Sequence, residues 1–147
     1  MNIRSILDAR WLRAAGDPTA RHAYIRDGRR IQWRIEIPDD YTVLAHFVYT
    51  EWFERRDAGW QMVKYHYDYF DDLHSGRRGY HCHHLDGVEE VPHAHCEVPI
   101  GTAPSPHYRY YVLDLLEAHE EFARICAADE GVSCDDLRPM RHRAQWR

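Results

Sequence analysis

Residues 81 to 96 read His81-Cys82-His83-His84-Leu85-Asp86-Gly87-Val88-Glu89-Glu90-Val91-Pro92-His93-Ala94-His95-Cys96. They gather five of the chain's twelve histidines and two of its four cysteines. Imidazole nitrogen and thiolate sulfur are the donors zinc takes, at about 2.0–2.3 Å. Imidazole also titrates near roughly pH 6.5, so two of them can serve one reaction as base and acid. Two chemistries therefore fit the cluster: metal-free acid/base catalysis, and capture of zinc or another divalent metal, either in a catalytic site or in a non-enzymatic zinc-binding domain that mediates protein association. A third reading assigns it no chemistry and takes the histidines as solvated surface residues of an interaction protein.

His93-x-His95 is the sharpest unit, because residues i and i+2 of a strand point the same way. With Cys82 or His84 reaching across a hairpin, it makes a metal set of His93, His95, Cys82 and His84. The spacing matches no named zinc signature, and there is no C-x-x-C pair. In the metal-free reading the reaction is RNA cleavage, in which one group takes the 2′-hydroxyl proton, another protonates the leaving oxygen, and cations steady the phosphorane. The catalytic candidates are then His93, His95, His66 and Lys64, with Arg77, Arg78 and Tyr80 contacting the substrate.

Asp86-Gly87 is a two-residue hairpin signal placed between the two histidine groups. A turn there sets Leu85 against Val88, Cys82 against Val91 and Tyr80 against His93. Tyr80, Cys82, His84, Val91 and His93 would share one face, and His81 and His83 would lie on the other with Glu90. A three-residue turn, or a bulge at Pro92, flips that parity.

The elements that position the hairpin follow from periodicity. Ile3, Leu7 and Trp11 predict an N-terminal helix over residues 2 to 15, with Gly16 as its C-cap. Residues 17 to 29 read as a polar connection with a turn at Asp27-Gly28. Ile31, Trp33, Ile35 and Ile37 alternate with Gln32, Arg34 and Glu36 to give a half-buried strand over Arg30 to Ile37. Tyr41 to Phe53 is a second strand and Trp60 to Phe70 a third. In the third, Tyr65, Tyr67 and Tyr69 take the core side, and Lys64, His66 and Asp68 the other. Asp71 to Gly79 reads as a loop; the hairpin arms are Arg78 to Leu85 and Val88 to Val98. Ser105-Pro106 starts a helix over residues 106 to 128, with Cys126 and His119 on its inner side and Glu117, Glu120 and Glu121 on its outer side. Residues 135 to 147 read as a frayed basic tail.

These elements predict an α+β fold: an antiparallel sheet of about five strands with an N-terminal helix and a long C-terminal helix packed on it. At 147 residues the chain is expected to be a single domain, 1–147. A hydrophobic share of 44% with 13% aromatic residues argues against disorder. The formal charge of −5 offers no global basic signal for nucleic acid. With no apolar leader and no run long enough to span a bilayer, a cytoplasmic location without membrane association is expected. All four cysteines are then expected to be reduced. A homodimer is compatible with these features.

In this setting the chain resembles the TumE family of bacterial toxin–antitoxin proteins. Val63-Lys64-Tyr65-His66-Tyr67 stands where that family has its Lys-Tyr-Arg strand, Tyr80-His81-Cys82-His83 where it has Tyr-Asp-Asn, and Pro92-His93-Ala94-His95 where it has Asp-His-Arg-His. A final helix follows from His107. The likeness spans roughly residues 30 to 125 in order, with few identities; His81-Cys82 replaces the Asp-Asn pair. It carries over only Lys64, His93 and His95. The resemblance implies a growth-inhibiting toxin acting on RNA and neutralised by an antitoxin protein.

Overall fold

The computed structural model describes residues 21–38, 45–83, 92–102, 107–108 and 113–137. These form strands β1 (Arg21–Asp27), β2 (Arg30–Pro38), β3 (Ala45–Arg56), β4 (Gly59–Asp71), β5 (Gly76–His83), β6 (His93–Glu97) and β7 (His107–Tyr108). Helix α1 (Leu115–Ala128) and a 3₁₀ turn (Asp135–Leu137) follow. Each strand pairs antiparallel with the next, in the order β1-β2-β3-β4-β5-β6-β7, so the sheet is a plain meander.

The predicted alternations hold where they are strongest. Ile31, Trp33, Ile35 and Ile37 of β2 are buried, as are Tyr65, Tyr67 and Tyr69 of β4. Ladder pairing carries this face across the sheet: Ile35 opposes Tyr49, Tyr49 opposes Tyr67, and Tyr67 opposes Tyr80. Helix α1 covers it with Leu115, Ala118, Phe122 and Ile125. The Phe122 ring lies 5.5 Å from Tyr80, 5.9 Å from Tyr69 and 6.2 Å from Tyr49, centroid to centroid. Cys126 is half-buried beside this core.

The predicted fold needs correction. The sheet has seven strands, six of them five residues or longer, and the described residues hold one α-helix. The predicted N-terminal helix over 2 to 15 lies outside the described residues. Strand β1 takes the place of part of the polar connection. It is an edge strand laddered to β2, and its Ile25 is 67% exposed. The C-terminal helix starts at Leu115, not 106. Its cap is Asp114, whose Oδ1 accepts from the Leu116 amide at 2.7 Å while Glu117 Oε2 accepts from the Asp114 amide at 3.0 Å. This reciprocal pair is a capping box. The tail begins as the 3₁₀ turn, with Leu137 buried, and residues 138–147 lie outside the description.

Two further corrections bear on the site. Gly76-Arg77-Arg78-Gly79 is not loop; it opens β5. Its glycines suit crowding rather than turning: a Cβ on Gly76 would sit 2.8 Å from Val132 Cβ, and one on Gly79 would sit 2.5 Å from Asp68 Oδ1. Cys96 and Cys134 are joined in a disulfide with Cα atoms 5.6 Å apart, so the expectation of four reduced cysteines fails. The pair forms because the segment after α1 returns beneath β6, a proximity invisible at a separation of 38 residues. Among the described residues no helix is long and apolar enough to cross a membrane.

Candidate metal centre

The pairing of β5 with β6 decides the site. His81 opposes His93, Tyr80 opposes Ala94, and Gly79 opposes His95. A two-residue turn at Asp86-Gly87 would set Tyr80 against His93 instead. The offset of one residue moves every side chain of one arm to the other face. His81, His83, His93 and His95 consequently share a face. Strand β4 adds His66 beside His81 and Lys64 beside His83. Five histidines meet on the side of the sheet away from α1.

Within this group, two sets of three can each present donor atoms within 4.8 Å of one another: His81 with His93 and His95, and His66 with His81 and His83. Ring orientation separates them. A metal lies in the plane of each imidazole it binds, so the planes must intersect near the ion. In the first set the rings are mutually inclined: 51° for His81 and His95, 72° for His81 and His93, 77° for His93 and His95. In the second set His66 stacks on His81 at 4.1 Å and 19°. Two nearly parallel stacked rings cannot both aim a lone pair at one ion without turning. Tetrahedral zinc holds its nitrogens roughly 3.3 Å apart, so the first set closes by inward ring movements on the order of 1 Å. His66 and His83 instead face each other, Nε2 to Nε2, at 3.4 Å.

Around His81 lies a chain of charged groups. Its Nε2 is 3.1 Å from Oδ1 and 3.2 Å from Oδ2 of Asp68. Arg77 donates to the same Oδ1 from Nε at 3.1 Å and Nη2 at 2.8 Å, and from Nη1 to Glu97 Oε1 at 2.8 Å. Glu97 Oε2 accepts from the Gly101 amide at 3.0 Å. Asp68, His81 and Glu97 are all buried. Burial alone would raise the Asp68 carboxyl, but His81 and Arg77 outweigh it and hold it below the ordinary value, ionised. Burial, then the neighbouring cations of the cluster, push His66 down to about 3 and His95 down to about 4. Both rings are neutral at neutral pH, with a lone pair to offer.

The expected site residues divide accordingly. His93, His95 and His66 come together. Lys64 borders them, its Nζ 4.4 Å over the Trp52 ring, and near it a shallow groove of about 340 Å³ is lined by Trp52, Gln32 and Ile25 among others. Arg77 is on the histidine face but engaged by Asp68 and Glu97. Arg78 is fully buried on the opposite face, bonded to Tyr80, Glu121 and the Ser133 carbonyl, and so is not placed to hold phosphate. Tyr80 is buried there too and donates to Glu121, which therefore is not on a solvated outer face. Cys82 is 1% exposed in the core and is no ligand to the cluster. His84 lies outside the described residues. Missed at the level of sequence were His81 and His83, assigned the wrong face, and Asp68 with Gly79. The alternation Lys64, His66, Asp68 pointed to that face; nothing local marked Gly79.

Compared with protein-family models, with curated proteins and with solved structures, the chain matches none.

Proposed function

We propose that this protein binds one divalent transition-metal ion, zinc foremost, through His81, His93 and His95. The carrying observation is that these three residues can present donor nitrogens within 4.8 Å of one another on one sheet face, with their rings mutually inclined. All-imidazole ligation suits zinc, copper and nickel over magnesium or calcium. Three protein nitrogens without a fourth ligand among the described residues is the donor count of catalytic rather than structural zinc. The function class is therefore a mononuclear centre for hydrolysis, where a bound ion would supply Lewis acidity and an activated water. RNA, the substrate implied by the TumE-like order of motifs, is the first to assay. The metal-free version of that reaction is less supported: it needs a protonated imidazole as acid, and its presumed phosphate ligands are engaged or buried. A cytoplasmic location stands beside the Cys96–Cys134 disulfide, a bond that persists mainly in oxidising compartments; counting free thiols in freshly isolated protein decides between them.

The test is elemental analysis of untagged protein, followed by zinc and cobalt titration. About one ion per chain is expected, lost in His81→Ala, His93→Ala and His95→Ala and kept in His66→Ala and His83→Ala. Wild-type protein that takes up neither ion at micromolar concentration would sink the proposal. Loss in His66→Ala and His83→Ala, with retention in His93→Ala and His95→Ala, would move the centre to the other set.

A further inference from the structure

We infer that Asp68 is a positioning residue for this centre: through its hydrogen bond to His81 Nε2 it selects the ring tautomer that leaves Nδ1 as the ligating nitrogen. The inference rests on the metal-binding reading for its consequence, but its first step concerns the free protein.

A neutral imidazole carries one proton on either nitrogen, and the partner of one nitrogen decides the role of the other. Here both carboxylate oxygens of Asp68 lie within 3.2 Å of His81 Nε2. A carboxylate can only accept, so Nε2 must be the protonated, donating nitrogen. In the neutral ring the lone pair then sits on Nδ1. His95 and His93 approach that same ring, at centroid distances of 4.6 and 5.9 Å.

The carboxylate is itself held. Two Arg77 nitrogens grip Oδ1. The third guanidinium bond goes to Glu97, which closes on the Gly101 amide, and the guanidinium lies 5.3 Å over Phe70. On its other side the His81 ring is covered by stacked His66. These contacts leave the ring little freedom about its outer torsion.

Gly79 supplies the space. It is the residue of β5 opposite Asp68 and two before His81. A Cβ there would meet Asp68 Oδ1 at 2.5 Å and His81 Nε2 at 3.1 Å, so any side chain would wedge into the bond between them. Glycine in mid-strand is otherwise unfavourable, and this bond explains its presence. Partners of this type around metal-bound histidine fix tautomer and orientation, and their loss weakens metal binding roughly 10- to 100-fold.

The experiment uses full-length protein labelled with ¹⁵N-histidine. Long-range proton–nitrogen correlation reads the His81 tautomer in metal-free protein, and cobalt and zinc titrations read affinity. Wherever its ring is neutral, His81 of the wild type is expected to carry its proton on Nε2. Gly79→Ala and Asp68→Asn are expected to bind zinc about 10- to 100-fold more weakly. Gly79→Ala should also shift His81 toward a mixture of tautomers, a change that mere destabilisation would not produce. Circular dichroism identifies any variant that fails to fold, and Arg77→Lys then replaces it, with a smaller loss in the same direction. His81 protonated on Nδ1 in the wild type, or unchanged affinity in folded Gly79→Ala, would overturn the inference. If wild type binds no metal, the reading of the centre fails, while the tautomer still decides the role of Asp68.

Discussion

The two faces of the sheet bury polar groups in different ways. On the face under α1, phenols and charges pair with groups of another kind. Tyr67 donates to Glu51 at 2.7 Å, the Tyr65 hydroxyl accepts from the Leu113 amide at 3.0 Å, and Tyr49 bonds His119 Nδ1 at 2.7 Å. Arg78 finds Glu121. Such pairing satisfies buried polar groups and specifies packing. On the other face the histidines crowd one another, with Asp68 as the carboxylate that touches one of them. Clustered imidazoles repel when charged, and burial with that repulsion holds His66 and His95 neutral. The first face pairs unlike groups; the second gathers like groups whose donor nitrogens can lie within 4.8 Å of one another.

The largest effect that would separate the faces is on stability. Phe122→Ala removes the ring that packs on three tyrosines and is expected to cost about 3–5 kcal/mol. His93→Ala and His95→Ala, on half-buried residues of the other face, should cost less than about 1 kcal/mol in metal-free protein while abolishing zinc uptake. Urea denaturation with and without zinc reads both. Equal stability losses for the two classes would erase the distinction.

Next in size is the covalent tie beneath β6. With its cysteines separated by 38 positions, the disulfide contributes about 3–4 kcal/mol in the chain-entropy account. Cys96→Ser should lose that amount in thermal unfolding, and reductant should lower the wild-type Tm but leave the variant unchanged. A wild-type Tm indifferent to reductant would argue that the bond is absent in solution.

Zinc itself sharpens the comparison. At free zinc about 100-fold above Kd, binding adds about 2.7 kcal/mol to wild-type stability. His81→Ala should show no such gain, and Phe122→Ala, where it folds, should keep it in full.

The pH dependence offers a further comparison. His66 and His95 have folded values of about 3 and about 4 against 6.5 for free imidazole. Their unfolded forms therefore bind protons first, and stability rises with pH across that interval. Metal-free protein should keep its full stability above about pH 6.5 and lose it as the pH falls toward 4. His66→Ala and His95→Ala should each flatten the profile. A wild-type profile already flat between pH 4.5 and 6.5 would show that these rings are not held neutral by the fold.

Strands with strong local signals were legible without the structure. Alternation in Ile31 to Ile37 and in Tyr65 to Tyr69 placed two strands and their inner faces, since a strand's side chains repeat every two residues whatever it pairs with. The same rule put His93 and His95 side by side, and Lys64, His66 and Asp68 on one face. Asp27-Gly28 marked its turn. β1 was not legible because an edge strand lives on backbone bonds, and the start of α1 was misplaced because Ser105-Pro106 imitates a cap that Asp114 provides.

What the sequence by itself determined was therefore a histidine-rich hairpin beside a tyrosine-faced strand. Only the tertiary structure decided that His81 joins His93 and His95 while Cys82 turns into the core, because one residue of register between β5 and β6 inverts the faces and that register depends on the whole ladder. It also decided the disulfide, the burial of Arg78 and the place of Gly79 under Asp68. Each of these rests on which distant backbones lie against one another, a property that no local spacing encodes.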